Sequence, residues 1–290
     1  MVARMKSKFG SILSEWRSVR RASQLDLAVA TGVSQRHISF VESGRAQPSR
    51  DLIVKLAGGL DLPLRTRNEL FLAAGFAPVY RERPLNLAEM KPARDALDRI
   101  LSHQEPYPSI VTDAKWNIVM QNAAAGRIIA LGVKAGSAAQ PPLGSPINFL
   151  RLMFGLDGLR PNIANWNQIG SMLIARLRRE ARSNPVSPSA ELMREFSEAA
   201  LVSGSVFAPE EDLDPILPLE LLVGNVRLRL FTMFTTFGTS QDIALQELRI
   251  DMSFPADDIT RRFLIAAAEG GIPQALEQLG AEENPESLEL

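Results

Sequence analysis

Residues 23–45 read SQLDLAVATGVSQRHISFVESGR, and the spacing of their polar and apolar side chains decides the fold of the first part of the chain. Ser23 precedes Gln24-Leu25-Asp26, so a serine cap meets a carboxylate three residues later and starts a helix predicted to run to Thr31. Gly32 ends that helix, where a left-handed backbone costs a glycine little. Val33 is a turn residue that plugs the core, and Ser34 caps a second helix from Gln35 to Ser43. Ile38 and Val41 give this second helix its inward face.

A short turn between two helices holds the second at a steep angle, so that its N-terminal half can enter a DNA major groove about 12 Å wide. The outward side chains are Gln35, Arg36, His37, Ser39 and Phe40. Gln35 and Arg36 carry the two-pronged chemistry suited to adenine and guanine edges, and Phe40 suits a thymine methyl. His37 reads as a solvated helix residue rather than a pH switch. Backbone N–H groups at the start of the Gln24 helix, helped by the Gln24 amide, suit a phosphate, and Arg45 in the following loop is placed for backbone contact.

Working outward, Phe9, Ile12, Leu13 and Trp16 form one stripe of a helix predicted over Phe9 to Arg20. Pro48-Ser49 start a fourth helix with Leu52, Ile53, Leu56 and Leu60 inward, and a fifth runs from Leu64 to Ala74 before Gly75. An all-α module of five helices over residues 1–80 follows. Its Ser23-Gln24, Leu27-Ala28, Gly32-Val33-Ser34-Gln35, Ile38-Ser39 and Glu42-Ser43-Gly44-Arg45 resemble the Cro/repressor-type (XRE) helix-turn-helix family. That resemblance implies base contacts from Gln35, Arg36 and Phe40 and phosphate contacts from Gln24, Ser43 and Arg45. It also implies a salt bridge from the first helix to the third, carried here by Arg17 and Glu42.

Charge is distributed to match. Residues 1–83 hold 14 Lys or Arg against 7 Asp or Glu, whereas the remainder holds 18 against 26, a split hidden by the net charge of -1. A small basic part on a larger acidic one suits a polyanion binder whose remainder does something else. Absence of cysteine excludes disulfides, thiolate metal sites and a cysteine nucleophile. With no 18-residue apolar run and no apolar leader at the N-terminus, a cytoplasmic location without a membrane span is expected.

Ala77-Pro78 and Arg81-Glu82-Arg83-Pro84 break the helical pattern, so residues 81–105 are read as a linker with a connecting helix from Lys91 to Leu101. Residues 106–268 form the larger domain. Ser109 to Asp113 and Trp116 to Met120 read as a hairpin, and Asn122-Ala123-Ala124-Ala125 opens a helix. Residues 135–146 read as a loop. Helices are predicted over Phe149 to Phe154, Trp166 to Arg182 and Ser189 to Leu201, and strands over Arg227 to Thr236 and Ile243 to Asp251. Without repeated crossover units, a small antiparallel sheet with packed helices, an α/β (α+β) arrangement, is preferred.

Tyr107-Pro108-Ser109-Ile110-Val111-Thr112-Asp113, Trp116-Asn117, Gln121 to Ala125, Asn148 to Phe154, Asn165-Trp166 and Leu228-Arg229-Leu230 resemble the MmyB-like ligand-binding domain of bacterial regulators. The resemblance implies a PAS-like fold and a fatty-acyl or similarly apolar small ligand, with no cofactor required. The chain departs from the family pattern at Ile110 after Pro108 and at Leu217-Pro218, where a His-Pro step is usual. Candidate lining residues are Trp116, Ile118, Met120, Phe149, Met153 and Phe154, continued by Trp166, Met172, Leu230, Met233 and Phe234. Two readings of them stand open, a ligand cavity and a solid core. Arg151 and Arg176 are the cations available to a carboxylate head.

His37 and His103, the only histidines, have no neighbouring ligand at metal-binding spacing, and Ser203-Gly204-Ser205 lacks the context of a hydrolase nucleophile. The expected function is therefore not catalysis but transcription regulation: double-stranded DNA bound by the first domain and an apolar ligand sensed by the second. The alternative is a protein-interaction or antitoxin-like module with a structural C-terminal domain. A homodimer is expected, because one module offers few side chains to one groove. The last stretch, 269–290, has 6 Glu and no Lys or Arg and reads as a weakly helical acidic tail.

Overall fold

The computed structural model describes residues 7–132, 145–183, 188–202 and 216–282. Its packing separates two units: one holds the chain to Met90 together with Phe237–Gln246, the other Lys91–Thr236 and the chain from Glu247 onward.

The first unit contains α1 (Lys8–Val19), α2 (Gln24–Thr31), α3 (Gln35–Glu42), α4 (Arg50–Gly59) and α5 (Leu64–Ala73). Serines start four of them. Ser7, Ser23, Ser34 and Ser49 each accept a backbone N–H from three residues on, and Asp26 returns the bond to the Ser23 N–H. Gly32 closes α2 at φ 68°, in the left-handed region that favours glycine. Phe9, Leu13, Trp16, Leu27, Ile38 and Phe71 are buried at its centre, and each such side chain contributes about 1.5–3 kcal/mol. Gly10 is the point of closest approach: a Cβ there would strike the backbone carbonyl of Glu42, so only glycine lets α1 lie against the end of α3.

In the second unit, α6 (Lys91–Gln104) leads to β1 (Ser109–Thr112), β2 (Ile118–Gln121) and α7 (Ala123–Gly132). After α8 (Phe149–Phe154), α9 (Trp166–Ser183) and α10 (Pro188–Val202) come β3 (Leu219–Val223) and β4 (Val226–Thr235). The chain then passes through α11 (Ile243–Glu247) to β5 (Arg249–Pro255) and α12 (Asp258–Glu282). All strand pairs are antiparallel, in the order β2-β1-β5-β4-β3. Helices α7, α8, α9 and α12 bury their apolar faces with the sheet in one core.

Several expectations need correction. Trp116 is not in a strand; it sits in the turn at φ 64°, and a register shift after Val111 lets β2 begin only at Ile118. The side chain of Asp113 builds that turn by accepting the N–H groups of Lys115 and Asn117. Strand β3 was not anticipated, although Gly224-Asn225 between two apolar runs marks a tight hairpin. Residues 243–247 are a helix, not a strand, because the Asp242 carboxylate caps the Ala244 N–H. Residues 269–282 continue α12 past a kink at Gly271, and Ala275 and Leu279 are buried in the core, which holds this stretch in place. Within the loop read over 135–146, positions 135–144 lie outside the described residues, as do 283–290 of the tail.

Candidate functional site

Helix α3 divides cleanly. Ile38, Val41 and Glu42 are buried, while Gln35, Arg36 and His37 are exposed and Ser39 and Phe40 half-exposed. The guanidinium of Arg36 lies 5.2 Å from the Phe40 ring centre and that of Arg45 5.8 Å, so one ring braces both cations. Behind this face, Arg17 grips Glu42 with two bonds, Nε to Oε1 at 2.9 Å and an Nη to Oε2 at 3.1 Å. Those bonds hold the Arg17 guanidinium above its ordinary pKa. The Gln24 amide also donates to Glu42, at 2.7 Å, and the Ser43 hydroxyl to the Phe40 carbonyl. Two of the three side chains expected at phosphates, Gln24 and Ser43, thus make internal bonds that position α2 and α3. Arg20, not foreseen, donates to the carbonyls of Leu60 and Asp61 at the end of α4.

The second unit holds a partly open cavity of about 150 Å³. Phe149, Met153, Met172, Leu230 and Phe234 line it, with Phe234 still 49% exposed. Strand alternation explains why Met233 does not: Leu230, Thr232 and Phe234 share one face of β4, and Met233, 55% exposed, points to the other. Trp166 and Phe154 pack edge to face, and Phe154 stacks on Phe196, so these rings fill the core beside the cavity. Ile118 packs on the core and Met120 is half-buried, both on β2, an edge strand beyond the lining. Trp116 is fully buried with the Arg176 guanidinium 4.4 Å and that of Arg249 5.2 Å from its ring. It holds arginines rather than the cavity wall.

Two charged side chains do reach the wall, Arg176 and Asp251. Arg176 donates to Glu180 at 3.2 Å and lies 3.6 Å from the Phe234 ring centre, while Arg151 pairs with Glu195 at the surface. Burial pushes Asp251 up to about 6, against the pull of Arg176 and Arg249. The same burial lowers the pKa of Arg176. Sequence reading missed Asp251 because it stood at the end of a strand whose start was assigned six residues too early; the alternation in Arg249 to Pro255 is the signal that locates it.

The segment Phe237–Gln246 leaves β4 and belongs to the first unit. There Asp242, 3% exposed, accepts from Arg83 at 3.2 Å, and the Ile243 N–H donates to the Arg81 carbonyl at 2.9 Å. The Gln246 side chain accepts the Leu64 N–H at 2.8 Å and so caps α5, whose own cap residue, Pro63, makes no such bond.

The first unit is thus a helix-turn-helix bundle with an exposed face on α3, and the second an antiparallel α/β domain with a partly open apolar pocket. Residues 93–266 match the MmyB-like transcription regulator ligand binding domain and residues 22–66 the helix-turn-helix family. The chain belongs to the MmyB-like transcription regulators. Uncharacterised HTH-type transcriptional regulators of Mycobacterium bovis and Mycobacterium tuberculosis are 38% identical over 65 residues, 22% of this chain. The match spans a quarter of the length of those relatives, 25%. The restriction-modification controller protein C.AhdI from Aeromonas hydrophila is 36% identical over 21% of this chain and 92% of its own, with a TM-score of 0.21. Among the described residues no helix is long and apolar enough to cross a membrane, and no three potential metal ligands cluster.

Proposed function

We propose that this regulator reads a specific DNA sequence through α3 and binds an apolar acyl compound in the cavity of its second unit. The observation that carries the DNA reading is the exposed Gln35 and Arg36 and the half-exposed Phe40 on a helix whose opposite side is buried and bonded through Glu42. Supporting the acyl reading are the methionines and aromatics of the wall, since unbranched side chains adapt to a flexible ligand. Size sharpens it. A closed apolar cavity of roughly 150 Å³ holds benzene, so a twelve-carbon chain must widen this one or project past Phe234, whereas a chain of six to eight carbons fits more nearly.

Coupling follows the chain. Strands β4 and β5 both line the cavity, and the segment that joins them is bonded into the DNA-binding unit through Asp242 and Gln246. A ligand that favours one arrangement of these strands biases that segment, which is what linkage between two sites requires. Two copies would bind a roughly palindromic operator with half-sites about 34 Å apart. Selection of bound fragments from genomic DNA, with native mass spectrometry of the lipids retained by the protein, tests both halves. Random recovery of fragments contradicts the DNA reading, and failure of every acyl chain from six to sixteen carbons to bind a stripped sample contradicts the acyl reading.

A further inference from the structure

The cavity wall contains a charge that its apolar lining does not explain. Asp251 lies on β5, the middle strand of the sheet, directly between Ile110 on β1 and Phe234 on β4, which both line the cavity. It is 5% exposed, and neither carboxylate oxygen accepts a hydrogen bond from any described residue. A buried carboxylate without such bonds is among the least favourable arrangements a fold can hold. Its charged surroundings are Arg176 and Glu180 from α9 and Arg249 on its own strand. Glu180 already engages both cations, Arg176 at 3.2 Å and Arg249 at 3.1 Å. The charges around Asp251 are therefore balanced, two cations against two anions. The Asp251 carboxylate lacks any donor and one Arg249 Nη lacks any acceptor among the described residues, a pair that an amide or alcohol can satisfy at once by donating and accepting.

We propose that Asp251 anchors the ligand's head, and that this head is a neutral hydrogen-bond donor, an amide or an alcohol, rather than a free carboxylate. The assignment rests on the reading of the cavity as an acyl site. An ionised carboxylate accepts hydrogen bonds and donates none, so its partner must donate. An ammonium head would place a third cation beside Arg176 and Arg249. A carboxylate head would place a third anion against Asp251 and Glu180, where low polarity strengthens the repulsion. Only a neutral donor completes the site without a new charge. Because burial raises the pKa of Asp251 to about 6, a carboxylate ligand gains access as pH falls and Asp251 takes up a proton.

Calorimetric titration of the full chain, stripped of bound lipid, with octanamide and with octanoate tests this at about pH 8 and about pH 6. At the higher pH octanamide binds about tenfold more tightly or better, and octanoate gains several-fold at the lower pH. Asp251→Asn raises octanoate affinity by about tenfold at the higher pH and removes most of its pH dependence; Asp251→Leu weakens octanamide. Should either variant fail to fold, the pH comparison on the unaltered chain still decides. Octanoate binding as tightly as octanamide at both pH values overturns the neutral-head assignment and leaves the acyl site standing. Failure of both compounds and of the longer acyl series overturns the acyl site itself, and the head-group assignment with it.

Discussion

Arg36 and Arg45 flank the same Phe40 ring, yet their loss has different expected consequences. Arg36 sits in the exposed start of α3, so Arg36→Ala relaxes sequence preference by about 1–3 kcal/mol at one base position. Arg45 lies beyond the helix, and Arg45→Ala weakens binding to every duplex and lowers the salt slope by about one. Titrations of cognate and random duplexes at several salt concentrations separate the two, and like behaviour of both variants and the parent contradicts this docking face. Glu42→Ala leaves Arg17 and Gln24 without their acceptor and costs about 3–5 kcal/mol in chemical unfolding. A loss near zero would mean that this buried network contributes nothing. For Asp251 the sign runs the other way: its folded pKa, about 6, exceeds the ordinary 3.8, so its contribution is full below about pH 4 and is lost as pH rises through 6. Ligand-free Asp251→Asn is then more stable than the parent by up to about 3 kcal/mol near pH 8, with the advantage vanishing below pH 4. A variant that is less stable at every pH would make Asp251 structural. Residues of α3 were legible because a helix with one apolar stripe exposes the rest; Asp251 was not, because its burial depends on strands far apart in sequence.

Elements of the first unit were legible for a local reason: a serine cap sits before each of the first four helices, and the apolar stripe behind each cap has one period. In the second unit the sheet pairs β1 with β5 across more than a hundred residues, and nothing local reports such a pairing. Trp116 shows the difference, since its alternation with Ile118 and Met120 reads as strand while its backbone is held at φ 64° by the Asp113 turn. The segment 237–246 was also illegible, because its partners, Arg83 and Leu64, lie in another part of the chain. Asp242→Ala removes the cap of α11 and one of the two carboxylates paired with Arg83, the other being Glu89, and is expected to destabilise the first unit by about 1–3 kcal/mol. If the segment also couples the two sites, the same change reduces the effect of an acyl ligand on DNA affinity while leaving ligand affinity within about twofold. Fluorescence anisotropy with and without octanamide measures both, and an unchanged ligand effect would remove the segment from the coupling route.

At the scale of the molecule, one α3 presents a handful of side chains to one groove face, and specific affinity in the range of known operators calls for two. The expected assembly is a homodimer on half-sites about 34 Å apart, and sedimentation of the protein with a selected operator should give two chains per duplex. A monomer both free and on DNA would contradict it. The charge split supports the division of labour, a basic first part for polyanion contact and an acidic remainder that adds none. The central claim is that α3 reads DNA sequence. Affinity for a genomically selected duplex and for a random duplex of equal length, measured across a salt series, tests it most directly. The expected result is a steep fall of both affinities with salt and a preference of about a thousandfold or more for the selected duplex near physiological salt. Equal affinities, or a selected-duplex affinity indifferent to salt, would contradict it.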